Sequence, residues 1–108
     1  MNNLNELIGK KFCCVTEDDG SQEECYICVD SVNEDGLLVA NRTYIVMTLM
    51  EFDRDYVMYD YFKEPYYIRP KEFECLNPVG TEPMFVEISE EIYHNAVNDV
   101  MNFFKSDC

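Results

Sequence analysis

Basic residues are scarce in this chain. Only eight of its 108 residues are Lys or Arg, against 22 Asp or Glu, for a formal net charge of −14. Proteins that grip nucleic acid do so largely through Lys and Arg on phosphate, so direct nucleic-acid binding is not expected. Attachment to an anionic lipid surface is disfavoured for the same reason. Histidine is nearly absent too, with His94 alone, early in an amphipathic stretch. No G-x-S-x-G, H-E-x-x-H, phosphate-binding loop or dinucleotide fingerprint occurs, so no catalytic residues are assigned. No apolar run approaches the ~20 residues of a membrane span. The longest, Tyr44 to Met50, is strand-sized and contains Thr48. Met1 to Glu6 has neither a basic segment nor an apolar one, so no signal peptide is read there and a cytoplasmic location is expected.

What is present argues for a folded domain. High net charge often accompanies disorder, but 47% hydrophobic and 14% aromatic residues suffice for a core. The length suits a single domain over residues 1–108.

Six cysteines occur: Cys13, Cys14, Cys25, Cys28, Cys75 and Cys108. In a reducing compartment they are expected as free thiols. Cys25-Tyr26-Ile27-Cys28 has the spacing of a zinc knuckle but no Gly or Pro to turn it. The segment reads instead as a strand, where residues three apart point to opposite faces. Cys13, Cys14, Cys25 and Cys28 are therefore read as structural, and no metal or cofactor is assigned.

Residues 3–8 suit a short helical turn, with Gly9 ending it. Residues 11–88 read as sheet. Strands are expected at Lys11–Glu17, Glu24–Val32, Leu37–Ala40, Thr43–Phe52, Tyr56–Phe62 and Met84–Ile88, with a short aromatic run at Tyr66-Tyr67-Ile68. Turns are expected at Asp18-Asp19-Gly20-Ser21, Asn33-Glu34-Asp35-Gly36 and Asp53-Arg54-Asp55, and a loop at Asn77–Pro83. Cys25, Ile27 and Val29 share one face, opposed by Glu24, Tyr26, Cys28 and Asp30. Ile45, Met47 and Leu49 alternate with Tyr44, Val46, Thr48 and Met50, which marks a central strand buried on both sides, or one face of a barrel plus a contact with a helix. Ser89 is a helix N-cap, and apolar residues recur at helical spacing through 90–105. The class is α+β: a curved, mostly antiparallel sheet of five or six strands, partly closed, with a C-terminal helix packed on it.

Leu7-Ile8-Gly9-Lys10-Lys11-Phe12, then a strand, an Asp-Gly turn and a second strand ending in Asp30, resembles the opening of SH3-like barrels and of Sm-like proteins. The resemblance implies a barrel-like curl of the first strands and carries over no functional residue. The glycine that bends a barrel's second strand is missing from Glu23 to Val32.

The charge is uneven. Residues 1–35 hold nine acids and two bases, residues 36–71 five of each, and residues 72–108 eight acids and one base. Glu17, Asp18, Asp19, Glu23 and Glu24 form one acidic set; Glu87, Glu90, Glu91 and Asp99 form another. Packing of the last helix beside the first hairpin would merge them into one face. The neutral middle is rich in tyrosine, and Tyr59, Tyr61, Tyr66 and Tyr67 read as core or as an aromatic interface.

The leading expectation is a non-catalytic inhibitor or binding protein that docks its acidic face on a basic partner, such as a nuclease or another nucleic-acid-binding protein. In size, acidity and lack of catalytic motif the chain resembles toxin-immunity proteins and phage anti-defence proteins, some of which mimic DNA. The alternatives are a small ligand-binding or enzymatic domain whose tyrosines converge with Asp60 or His94, and an accessory subunit with an aromatic interface.

Overall fold

The computed structural model describes residues 4–51, 54–76 and 84–106. A 3-10 turn over Leu4–Leu7 buries Leu7 and ends at Gly9, whose φ of 89° only glycine adopts without strain. The amide of Gly9 donates to the Val29 carbonyl, which fastens this turn to the end of the second strand.

Strands β1 (Lys11–Asp18) and β2 (Ser21–Cys28) form a hairpin around Asp19-Gly20. Two small strands follow, β3 (Ser31–Val32) and β4 (Leu38–Ala40). Strands β5 (Thr43–Glu51) and β6 (Arg54–Phe62) make a second long hairpin, and β7 (Tyr66–Ile68) and β8 (Val86–Ile88) complete the set. The chain ends in helix α1 (Glu90–Ser106), ~25 Å long. Ser89 caps it: the Ile92 amide donates to the Ser89 hydroxyl at 3.2 Å.

The main sheet has the order β6-β5-β2-β1-β8, antiparallel throughout, and a second sheet has the order β3-β4-β7. The expected class holds, but the partial barrel does not. The main sheet stays open, with β6 and β8 at its edges. No glycine interrupts β2 to bend it far enough to close.

The main sheet has five strands, as expected; the described residues form eight in all, because the expected second strand is two, β2 and β3, and the short aromatic run is β7. β2 stops at Cys28. The Val29 amide donates to the Lys10 carbonyl, but the Asp30 amide donates to the Val39 carbonyl. The chain thus changes sheets between adjacent residues, while its side-chain alternation runs on unbroken. The Asp30 carboxylate fixes the change by accepting the Asn41 amide at 2.7 Å. Similarly, Arg54 and Asp55 belong to β6 rather than to a turn, since Arg54 pairs with Glu51. The loop expected at Asn77–Pro83 lies outside the described residues.

Two apolar clusters hold the layers together. On one face of the main sheet Phe12, Cys14 and Ile27 meet Leu38, Ala40 and Ile68 of the small sheet, with Phe73 and Phe85 beside them. Phe12 and Phe73 meet edge to face at 4.7 Å between ring centroids. On the other face α1 lays Tyr93, Val97, Val100 and Met101 over Tyr26, Tyr44, Val46 and Tyr61. The helix runs from β1, where Glu90 pairs with Lys11, to β6, where Phe103 and Phe104 meet Tyr59 and Tyr61.

Phe73 joins the small covering layer to the main sheet and is fully buried. Phe73→Ala is expected to destabilise the fold by ~3–5 kcal/mol, read as a fall in the urea midpoint. A change under ~1 kcal/mol would mean that the covering layer contributes little to the core.

Candidate functional site

The acidic residues of the first hairpin gather at its turn. Asp18 pairs with Ser21, Glu17 with Gln22, and Thr16 and Val15 with Glu23 and Glu24. Glu17, Asp18 and Asp19 are exposed, and Glu23 and Glu24 are half-buried. None of the five forms an ion pair with a described residue. Glu24 accepts a 2.9 Å hydrogen bond from the Tyr26 hydroxyl, on the helix face. Glu23, one residue earlier, lies on the opposite face, and its carboxylate makes no hydrogen bond or ion pair with a described residue.

The second acidic set lies elsewhere. β8 pairs only with Lys11 to Cys13 of β1, ~13–20 Å along the strand from Glu17. Glu87 lies beside Phe12, on the face away from α1, and pairs with Lys10 at 3.5 Å. Glu90 pairs with Lys11 at 3.2 Å, and Glu91 is exposed on the first turn of α1. Only Asp99 comes near the hairpin set on the helix face. It and Glu24 line one cavity of about 330 Å³, together with Tyr26 and Tyr59. The structure therefore brings Glu17, Asp18, Asp19, Glu23 and Glu24 together, and keeps Glu87, Glu90 and Glu91 at the other end of the sheet.

The tyrosines divide in the same way. Tyr59 and Tyr61 are half-buried beneath α1, with ring centroids 5.1 and 5.3 Å from Phe103 and Phe104. Tyr66 and Tyr67 are exposed on β7. Asp60 points to the face away from α1, and His94 is exposed with its ring 5.8 Å from Tyr93. Neither lines the Tyr26–Tyr59 cavity.

On the face away from α1, a feature went unread in the sequence. Two cavities of about 240 Å³ each lie side by side and share Glu23 and Ile45. One is bounded by Met47, Met58, Asp60 and Phe62. The other runs beneath Tyr66 to Glu72, Cys14, Cys25 and Thr43. Thr43 is 2% exposed, and its hydroxyl has no hydrogen-bond partner among the described residues. A lone threonine among apolar strand residues carries no sequence signal that its hydroxyl will be left unsatisfied.

The thiols are divided between the two faces. Cys14 and Cys25 are register partners on the face away from α1, and Cys13 and Cys28 lie beneath the helix. Among the described residues, no three His, Cys, Asp or Glu side chains are grouped so as to hold a metal ion. No described helix is long and apolar enough to cross a membrane. Burial pushes the Cys13 thiol up to about 11 and the Cys25 thiol up to about 12. The tyrosine hydroxyls of Tyr26 and Tyr93 are also raised, chiefly by burial.

Comparison with known proteins gives no relative. The chain matches no family model, no curated protein and no solved structure. The site must therefore be read from its own chemistry.

The raised thiols fix a pH dependence. From an ordinary value of 9.0, the unfolded chain releases protons that the folded chain still holds at Cys13 and Cys25. Their contribution to stability is complete below pH 9.0 and is lost as pH rises through about 11 and about 12. The urea midpoint should fall between about pH 8 and about pH 10.5, and fall less in Cys25→Ala. An equal fall in that variant would remove Cys25 from the account.

Proposed function

We propose that this chain is a non-catalytic binding protein that docks an acidic surface on a basic protein partner, of the kind presented by nucleases and other nucleic-acid-binding proteins. The observation that carries this reading is the turn end of the β1–β2 hairpin. Glu17, Asp18 and Asp19 stand exposed there, Glu23 and Glu24 adjoin them, and no described cation pairs with any of the five. Like charges gathered in this way repel one another. A partner of opposite charge turns the same field to use, raising the association rate by ~10–10³-fold at low salt.

A second reading, a small ligand-binding domain, is favoured by the cavity between β2, β5, β6 and α1, where Tyr26 and Tyr59 meet Glu24 and Asp99. It lacks the convergence with Asp60 or His94 that an acid–base site would need. An accessory subunit with an aromatic interface has less support, since Tyr59 and Tyr61 are engaged by α1.

The test is kinetic. A basic nuclease recovered on the immobilised chain from its own cells should associate more slowly as salt rises. Charge reversal at Glu17, Asp18 and Glu24 to Lys should slow association by about tenfold or more at low salt, with the dissociation rate little changed. Association that is indifferent to both salt and charge reversal would remove this function.

A further inference from the structure

The two faces of the main sheet are not equally covered. α1 lies across one of them from β1 to β6. On the other, the small sheet covers Phe12, Cys14 and Ile27 but not the outer stretch of β5 and β6. There Met58 is 53% exposed and Phe62 48% exposed, beside Ile45 and Met47. The result is a groove made of two adjoining cavities that share Glu23 and Ile45. Its floor is apolar, and Glu23, Asp60 and Glu72 stand along it. At its inner end the Thr43 hydroxyl is buried without a partner among the described residues.

We propose that this groove is the docking site for a basic, amphipathic segment of the protein partner. Apolar side chains of the segment rest on Ile45, Met47 and Met58. A Lys or Arg of the segment enters beneath Tyr66, its stem against the apolar wall and its N–H groups donating to Glu23 and to the Thr43 oxygen. The inference rests on the reading of the chain as a protein that docks on a basic partner, and supplies that reading with its apolar contact and its anchor. Methionine suits the floor because its unbranched, polarisable side chain adapts to varied apolar partners. Long basic side chains suit the inner cavity because they bury their stems while keeping the charged end on polar groups.

Charge argues against a second copy as the occupant. Each copy carries −14, and face-to-face pairing would bring Glu23 and Asp60 toward like charges. Pairing along the free edge of β6 is blunted as well. The Asp60 carboxylate takes the Tyr61 amide at 2.8 Å, where an added strand would need that donor.

A labelled peptide of alternating leucine and lysine serves as the probe, followed by fluorescence anisotropy at low salt. It should bind the intact chain saturably, and more tightly than an alternating serine–lysine peptide. Met58→Lys, a change at an exposed position, should weaken binding by about tenfold or more. Thr43→Val should act in opposite directions on two readouts: a higher urea midpoint, because an unsatisfied hydroxyl is removed, and a weaker peptide complex. Absence of peptide binding, or equal binding of the serine–lysine peptide, would overturn the proposal. So would binding lost on reversal of Glu17 and Asp18 but untouched by Met58→Lys and Thr43→Val; the acidic-docking function would then stand without the groove. Binding indifferent to salt and to all of these changes would remove both. Self-association in sedimentation equilibrium that Met58→Lys abolishes would assign the face to a second copy and overturn the proposal.

Discussion

A mismatch of lengths governs this molecule. The β1–β2 and β5–β6 hairpins are built from strands of eight and nine residues, and apolar side chains stand on both of their faces. Each face therefore needs a covering layer. A helix of 17 residues can cross four strands and does so on one side. The layer on the other side is made of strands of two and three residues. It reaches only the base of the hairpins, where Phe12, Ile27, Phe73 and Phe85 make the tighter core. Beyond that point the sheet continues without its cover. The groove between Met58 and Thr43 is the direct consequence.

The same geometry distributes the charge. Residues 1–35 hold two bases, Lys10 and Lys11, and both lie where β1 begins. Both are turned toward acids from the end of the chain, Glu87 and Glu90. These exposed pairs add little to stability. Their larger effect is positional: Glu87 and Glu90 take the only cations of residues 1–35, and the acids at the hairpin turn are left with none among the described residues. A net charge that looks like a property of composition becomes a gradient along β1, from paired at Lys11 to unpaired at Asp18.

Much of this was legible in the sequence, for reasons that differ by element. Strand alternation at Cys25-Tyr26-Ile27-Cys28 and at Tyr44 to Met50 reports which side chains share a face, and Ser89 with its following apolar stripe fixes the start of α1. The full burial expected on both sides of Tyr44 to Met50 is met only beneath α1 and the small sheet, and Ile45 and Met47 line the open groove. The division of the thiols between two faces follows from the same period of two. Alternation is silent about pairing, however. Val29 and Asp30 continue the pattern of β2 while their amides bond to different sheets, so the second layer could not be read from residue type. The extent of that layer was equally hidden, and with it the exposure of Met58 and Phe62. The two acidic sets were rightly separated along the chain, but their distance in space depends on β8 pairing at the base of β1, which no local signal specifies.

The uncovered apolar face and the excess of acid are best understood together. An open sheet face with Met47, Met58 and Phe62 on it invites indiscriminate association. The high charge of the whole chain sets copies against one another, and Glu23 and Asp60 along the groove make desolvation costly for any neutral or acidic occupant, while Glu72 there is paired with Arg69 at 3.7 Å. A basic segment meets neither barrier, because its cations replace the water lost by the carboxylates. Acidity then does more than keep the protein dispersed. In the docking we propose, it converts a surface that would otherwise accept almost any apolar side chain into one selective for sequences that interleave apolar and basic residues, with selectivity resting on repulsion of the wrong partners as much as on attraction of the right one.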